Sequence, residues 1–419
     1  MYEHYTLPNQ AKMYLIPQDH TTSTTTLIMY PVGSRYESEK MSGVSHYIEH
    51  MMFKGTKKRK TSQILTREID RLGAAYNAFT SKEYTGYYIK TGAEYTELSL
   101  DILSDMLFNS VFDAKEMEKE KGPVCEELRM YRDNPIMNIE NVFEEMFYAG
   151  CPLGRDIGGT PEHVMNYKRD DVLKFRDRFY GPNNMYIFLS GNINDSVREW
   201  IDGMYGTREN TGIPSRVYKP AILGSGVMSD RIHVEQKKVD QVQLMLGFPA
   251  FQYGHKQNTA LSVMNTILGG SMSSRLFTEI REKRGLAYTV QAGSEHYRDT
   301  GYSMVRAGVE PKNVNKTIAL TQKEVEKMAK KGVTARELAD AKTHIRGRIQ
   351  LSLEDSSSVA NWYAKQALFA EKIVTPDEKL AKVDAITSEQ IQDVAKKVFY
   401  WNKVRIAIIG DVDEKSVEF

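Results

Sequence analysis

His46 and His50 stand four residues apart in Ser45-His46-Tyr47-Ile48-Glu49-His50. On an α-helix that spacing puts both imidazoles on one face, where they can reach a single ion. Glu49 lies beside them, close enough to touch a metal-bound water without being a ligand. The order H-x-x-E-H inverts the commoner H-E-x-x-H metal helix. The chain has only 9 histidines, and His4, His20, His163, His233, His255, His296 and His344 show no ligand spacing. The bland alternative is two partly exposed histidines on an amphipathic helix.

A catalytic zinc usually takes three protein ligands and keeps a fourth position for water. A third ligand is therefore expected. Glu127, in Val124-Cys125-Glu126-Glu127-Leu128, is a candidate. Spacing alone does not select it, because an acidic stretch such as 116–127 is usually a solvated helix face. Gly122-Pro123 interrupts the same stretch. Proline inside a helix costs roughly 3 kcal/mol through a lost hydrogen bond and a clash. The helix must either kink there or restart with Pro123 in its first turn.

The elements that hold these residues are repeated. Gly73-Ala74-Ala75-Tyr76 returns as Gly285-Leu286-Ala287-Tyr288, and Thr85-Gly86-Tyr87 as Thr300-Gly301-Tyr302. Phe179-Tyr180 with Gly191 returns as Phe399-Tyr400 with Gly410, at an offset that drifts only slowly. In both halves this last match joins a helix-like segment (170–178; 389–398) to an apolar strand (185–189; 404–409). The matches predict two homologous domains, at 1–212 and 227–419. Gly212, Pro214, Ser215, Pro220, Gly224 and Gly226 mark a linker at 213–226. Strands are expected at 27–32 and 84–90, and amphipathic helices at 62–72 and 93–107. Strands and helices mix without βαβ alternation, which favours an α+β fold: a largely antiparallel sheet with helices packed on one face.

The motif context resembles the pitrilysin family of inverted-zinc metallopeptidases, which includes the mitochondrial processing peptidase. The likeness runs through Tyr30-Pro31-Val32-Gly33-Ser34-Arg35-Tyr36-Glu37, Gly43 to His50, and Met52-Phe53-Lys54-Gly55-Thr56. It continues in Asn77-Ala78-Phe79-Thr80 with Glu83 and Thr85, in Glu120 with Glu127, and in Pro152-Leu153-Gly154 with Gly159-Thr160. In the second half it covers Gly270 to Leu276, Arg281 and Gly285-Leu286-Ala287-Tyr288.

The resemblance implies that His46, His50 and Glu127 bind one zinc per chain, with Glu49 as the general base that activates water. It implies that Glu120 supports a zinc-binding histidine, that Asn77 and Ala78 lie on a substrate-binding edge, and that Arg281 and Tyr288 reach toward the bound peptide. Read without the family, 280–288 is simply a helix end and turn. The expected activity is that of a zinc endopeptidase or oligopeptidase cleaving extended peptides in an enclosed chamber. Such chambers are built from four domains and this chain supplies two, so a homodimer with a shared active site is expected. The competing expectation is a non-catalytic structural subunit of the same ancestry. Retention of His46, Glu49, His50, Glu127, Arg281 and Tyr288 in one chain speaks against it.

Charge and composition exclude other classes. Lys and Arg number 56 against 55 Asp and Glu, a formal charge of +1, which argues against a generally basic nucleic-acid binder. The basic run 54–60 is then expected to be a solvated loop. No apolar run reaches the ~18 residues of a membrane span. Residues 1–9 lack both the apolar core of a secretory signal and an Arg-rich transit helix, so the mature chain is expected to begin near Met1. Two cysteines, Cys125 and Cys151, are too few for a disulfide scaffold, and a cytoplasmic location is expected.

Overall fold

The repeated sequence matches fall at equivalent places in two sheets whose strand orders agree apart from one extra edge strand in the first. A computed structural model describes residues 2–210, 218–221 and 231–419. The predicted linker lies mostly outside the described residues, which include only 218–221 of it.

The strands of the first sheet are β1 (Glu3–Thr6), β2 (Lys12–Pro17), β3 (Ser23–Tyr30), β4 (Ala75–Thr80), β5 (Thr85–Gly92) and β6 (Tyr186–Gly191). Those of the second are β7 (Ile232–Gln236), β8 (Val242–Pro249), β9 (Ala287–His296), β10 (Gly301–Val309) and β11 (Arg405–Gly410). The orders are β1-β2-β6-β3-β5-β4 and β7-β11-β8-β10-β9. Each sheet has one parallel pair, β2 with β6 and β7 with β11, and is otherwise antiparallel. Gly73 and Gly285, with φ of 62° and 61°, turn the chain into the edge strands β4 and β9. The matched Thr-Gly-Tyr segments open β5 and β10.

The helices, in chain order, are α1 (Val44–Met52), α2 (Ser62–Asp70), α3 (Thr96–Asn109), α4 (Ala114–Asp133), α5 (Pro135–Phe147), α6 (Pro161–Asn166), α7 (Arg169–Phe179) and α8 (Val197–Ile201). The second half adds α9 (Asn258–Gly269), α10 (Val314–Lys331), α11 (Ala335–Ser352), α12 (Ser356–Phe369), α13 (Pro376–Asp384) and α14 (Ser388–Val398). Their ends follow local chemistry. The hydroxyl of Thr61 accepts from Ile64 N–H before α2, and Asn134 with Pro135 opens α5. Capping boxes at Thr375/Glu378 and Thr387/Gln390 start α13 and α14.

The chain divides into two compact units, and neither is a continuous half. One comprises Met1–Arg129, Arg155–Lys219 and Leu351–Leu368; the other comprises Met130–Gly154, Pro220–Gln350 and Phe369–Phe419. In the first unit Met13, Leu15, Ile28, Tyr30, Tyr87, Ile89, Ile187 and Leu189 form one apolar face, sharing a core with α1 and α3. The opposite face takes α12, where Ser356 bonds Thr25 at 2.8 Å and Asp355 pairs with Lys90. In the second unit Leu244, Leu246, Ile406 and Ile408 face α9 and α14. The alternate residues Met245, Ala407 and Ile409 pack against Ile139, Val142 and Phe143 of α5. The α+β reading therefore stands, with one further helix on the outer face of each sheet.

Candidate metal centre

α1 starts at a built N-terminus. The buried Glu37 carboxylate accepts from Gly43 N–H at 2.6 Å and Ser45 N–H at 2.8 Å, supplying the negative charge that a helix N-terminus favours. Burial pushes Glu37 up to about 7, against the pull of these bonds and of Arg155. Tyr47 then ties α1 to α4 by donating to Met117 O at 2.5 Å. α4 runs unbroken through Gly122-Pro123. Pro123 removes one intrahelical bond, and Gly122 has no Cβ to clash with the proline ring in helical conformation. Glu120 and Glu127, seven residues apart, accordingly share the face turned to α1.

The donors converge. His50 Nε2 lies 3.3 Å from His46 Nε2 and 3.1 Å from Glu127 Oε2, and His46 Nε2 lies 3.7 Å from the same oxygen. Among the described residues this is the one cluster of three or more such side chains arranged to hold a metal ion. Tetrahedral ligands about 2.0–2.1 Å from zinc are roughly 3.3 Å apart, so the donor set fits that ion. Glu120 Oε1 meets the other ring nitrogen of His50, Nδ1, at 3.0 Å. Thr80 of β4 donates to Glu49 Oε2. Thr80 and Lys54, whose ammonium lies on Glu120 Oε2, fall inside the motifs that carry the family likeness, but nothing in their spacing assigns either a role; Lys54 stands at i+4 from His50.

Electrostatics separate these groups. Burial and the neighbouring His50 push His46 down to about 4. Burial would also lower His50, but its bonds to Glu120 and Glu127 outweigh it and raise it to about 9. Burial raises Glu49 above the usual carboxylate range, opposed by the Thr80 bond and the His50 charge. The His50 bond holds Glu127 below that range. One helix thus carries a carboxylate biased toward holding a proton beside a neighbour biased toward charge.

Asn77 and Ala78 lie on β4, the edge of the first sheet, and Asn77 Oδ1 accepts from Ala78 N–H at 2.9 Å. The basic run 54–60 is only partly the solvated loop expected: Lys57, Lys58 and Lys60 are exposed. Arg59 is 2% exposed and pairs with Glu68, Asp101 and Asp105, because a buried guanidinium needs carboxylate partners. In the second unit, Val309 pairs with Ala287 and Gly308 with Thr289, leaving Tyr288 as the extra residue of a bulge. Tyr288 is 72% exposed, with the Arg281 guanidinium 5.0 Å from its ring centroid. Both line a cleft of about 420 Å³ with Asp240, Gln241, Leu286 and Glu310.

Comparison with known proteins gives this arrangement a lineage. Residues 13–161 match the family model described as insulinase (peptidase family M16), and residues 166–345 match the peptidase M16 inactive domain. An uncharacterized zinc protease of Bacillus subtilis is 33% identical over 403 residues, covering 95% of this chain and 96% of that protein. The chain belongs to peptidase family M16. A second relative, an uncharacterized zinc protease of Streptomyces coelicolor, is 30% identical over 98% of this chain and 90% of its own. The fold recurs in a protease from Helicobacter pylori, with TM-score 0.89, 23% identity and coverage of 98% and 99%. It recurs also in an M16 inactive-domain protein from Pseudomonas fluorescens, with TM-score 0.89, 19% identity and 98% coverage of each chain. Within this M16 chain, that the described residues hold one group able to bind a metal has a plain origin. In the second repeat α9 takes the place of α1 before the edge strand, and Asn258–Gly269 contains no histidine and no glutamate.

Proposed function

We propose that this chain is a zinc-dependent endopeptidase or oligopeptidase acting on extended peptides. The observation that carries the reading is the convergence of His46 and His50 of α1 with Glu127 of α4 beside Glu49, with α1 packed against the edge strand β4. His46, His50 and Glu127 would hold one zinc per chain. When bound, the ion lowers the pKa of water to about 7 and polarises the scissile carbonyl. Glu49, anchored at Oε2 by Thr80, takes the proton of the attacking water. Glu120 orients the His50 ring through Nδ1.

Substrate adds to β4 as a further strand through main-chain bonds, which selects unfolded segments. It takes over the Ala78 N–H, which the Asn77 side chain otherwise occupies. Arg281 and Tyr288 serve the peptide from the second domain, the tyrosine hydroxyl donating where negative charge develops. The working unit is a homodimer that encloses a chamber, with Tyr288 of one subunit serving the zinc domain of its partner. The domains of this reading are 1–212 and 227–419. Cys125 and Cys151 are both unpaired, and among the described residues no helix is long and apolar enough to cross a membrane. The reading places the enzyme in the cytoplasm.

The test is elemental analysis of the purified protein together with cleavage of a peptide library read by mass spectrometry. One zinc per chain and chelator-sensitive internal cleavage are expected. Protein that carries no zinc and cleaves nothing would overturn the reading.

A further inference from the structure

We propose that Lys54 is a positioning residue for the metal centre, holding the Glu120 carboxylate in the pose that orients His50; this rests on the zinc reading above. The Lys54 ammonium lies 2.5 Å from Glu120 Oε2, Glu120 Oε1 lies 3.0 Å from His50 Nδ1, and His50 Nε2 lies 3.1 Å from Glu127 Oε2. The line of contacts therefore runs from Lys54 to the metal-facing nitrogen of His50. Glu120 is 6% exposed. Among the described residues each of its oxygens has one side-chain partner, Lys54 on one side and His50 on the other. Removing Lys54 leaves a buried carboxylate oxygen without its counter-charge, free to rotate away from the ring.

The backbone carrying Lys54 is fixed, so the ammonium arrives at a set place. Lys54 N–H closes the end of α1 on Met51 O at 3.2 Å. The next residue, Gly55, has φ +125°, and a Cβ there would stand 2.6 Å from Lys60 O. Thr56 N–H bonds Arg59 O at 2.7 Å, and the Thr56 hydroxyl reaches Asp105. Arg59 locks the turn through Glu68, Asp101 and Asp105. Lys58, four residues on, is a contrasting case: its side chain is 61% exposed and pairs with Asp101 at the surface.

The experiment compares wild type with Lys54→Met, Lys54→Gln, Lys54→Arg and Lys58→Met. Zinc affinity is measured by competition with a chromophoric chelator. The His50 Nδ1–H proton is followed by NMR of the nitrogen-labelled, zinc-loaded protein, and urea unfolding checks the fold. Lys54→Met and Lys54→Gln should lose about 10–100-fold in zinc affinity, the range typical of ligand-supporting partners. The Nδ1–H proton should lose its protection from exchange. Lys54→Arg should restore both within a few-fold, and Lys58→Met should change neither. Wild-type affinity and a protected Nδ1–H in both neutral variants would overturn the proposal while leaving the zinc reading intact. An equal loss in Lys58→Met, or no rescue by arginine, would also overturn it. Wild-type protein that binds no zinc would overturn the zinc reading, and this inference with it.

Discussion

Thr80 donates its hydroxyl hydrogen bond to Glu49 Oε2, a side-chain contact that joins the edge strand β4 to α1, the helix of His46 and His50. The strand that would receive substrate thus also orients the proposed base. Thr80→Val keeps the shape and removes the bond. It should lower kcat/KM on a fluorogenic peptide about tenfold, while Glu49→Gln should lower it by ~10²–10⁴. Zinc content should stay at the wild-type level in both. Near-wild-type hydrolysis by Glu49→Gln would end the mechanism proposed here.

Glu126 and Glu127 are adjacent in sequence and opposite in their surroundings. The Glu126 side chain is 71% exposed and pairs with Arg129 on the helix surface, whereas Glu127 faces both histidines. His50→Ala and Glu127→Gln should lose most of the zinc by elemental analysis, and Glu126→Gln should lose none. Full zinc content in Glu127→Gln would move the third ligand to another carboxylate, Glu120 being next in line.

The shared-site dimer is tested by complementation. Glu49→Gln and Tyr288→Phe proteins are mixed under conditions that allow subunit exchange. If Tyr288 serves its partner's zinc, each mixed dimer holds one intact site and one doubly damaged site. Activity then recovers toward half per mixed dimer. With exchange confirmed, a mixture no more active than its components would show that both residues act within one chain.

Acid sensitivity in the second unit should centre on the fork between Arg275 and Glu337, with Nε–Oε1 at 2.6 Å and Nη2–Oε2 at 2.9 Å. Burial would raise Glu337, but the Arg275 and Thr334 bonds outweigh it and hold it at about 2, below the ordinary glutamate value of 4.5. A depressed folded pKa contributes stability above the unfolded value, and that contribution is lost as pH falls through 4.5 toward 2. Glu337→Gln should cost about 2 kcal/mol at pH 7 by urea unfolding, as a charge-assisted fork suggests. The difference from wild type should shrink by more than half at pH 3. An undiminished difference at pH 3 would place the effect in packing rather than charge.

Much of this molecule is legible in its amino-acid sequence, wherever the governing interactions are local. The four-residue spacing of His46 and His50 reads as one helix face because helix pitch is a backbone property. The strands at 84–90 and 404–409 and the helices at 62–72 and 389–398 fall within two residues of β5, β11, α2 and α14. The repeat is visible for a related reason: turn glycines such as Gly73 and Gly285 answer to backbone geometry, which both copies share. The basic run 54–60 departs from a wholly solvated loop because its charge is spent internally, on Glu120 and on the Asp101–Asp105 face of α3.

What lies beyond local rules is the long-range partnering. Glu127 can be named from sequence only through resemblance, because its place beside His50 depends on packing α4 against α1 through contacts such as Tyr47 to Met117. α5 and α12 each cover a sheet built mostly from the other half of the sequence. An apolar stripe shows that a helix needs a partner without showing which sheet supplies it. The bulge at Tyr288 and the Lys54–Glu120–His50 line likewise arise where separate segments meet. Hydrophobic period and turn chemistry specify the pieces; which buried charge faces which ring is settled only when the packed chain closes the distance between them.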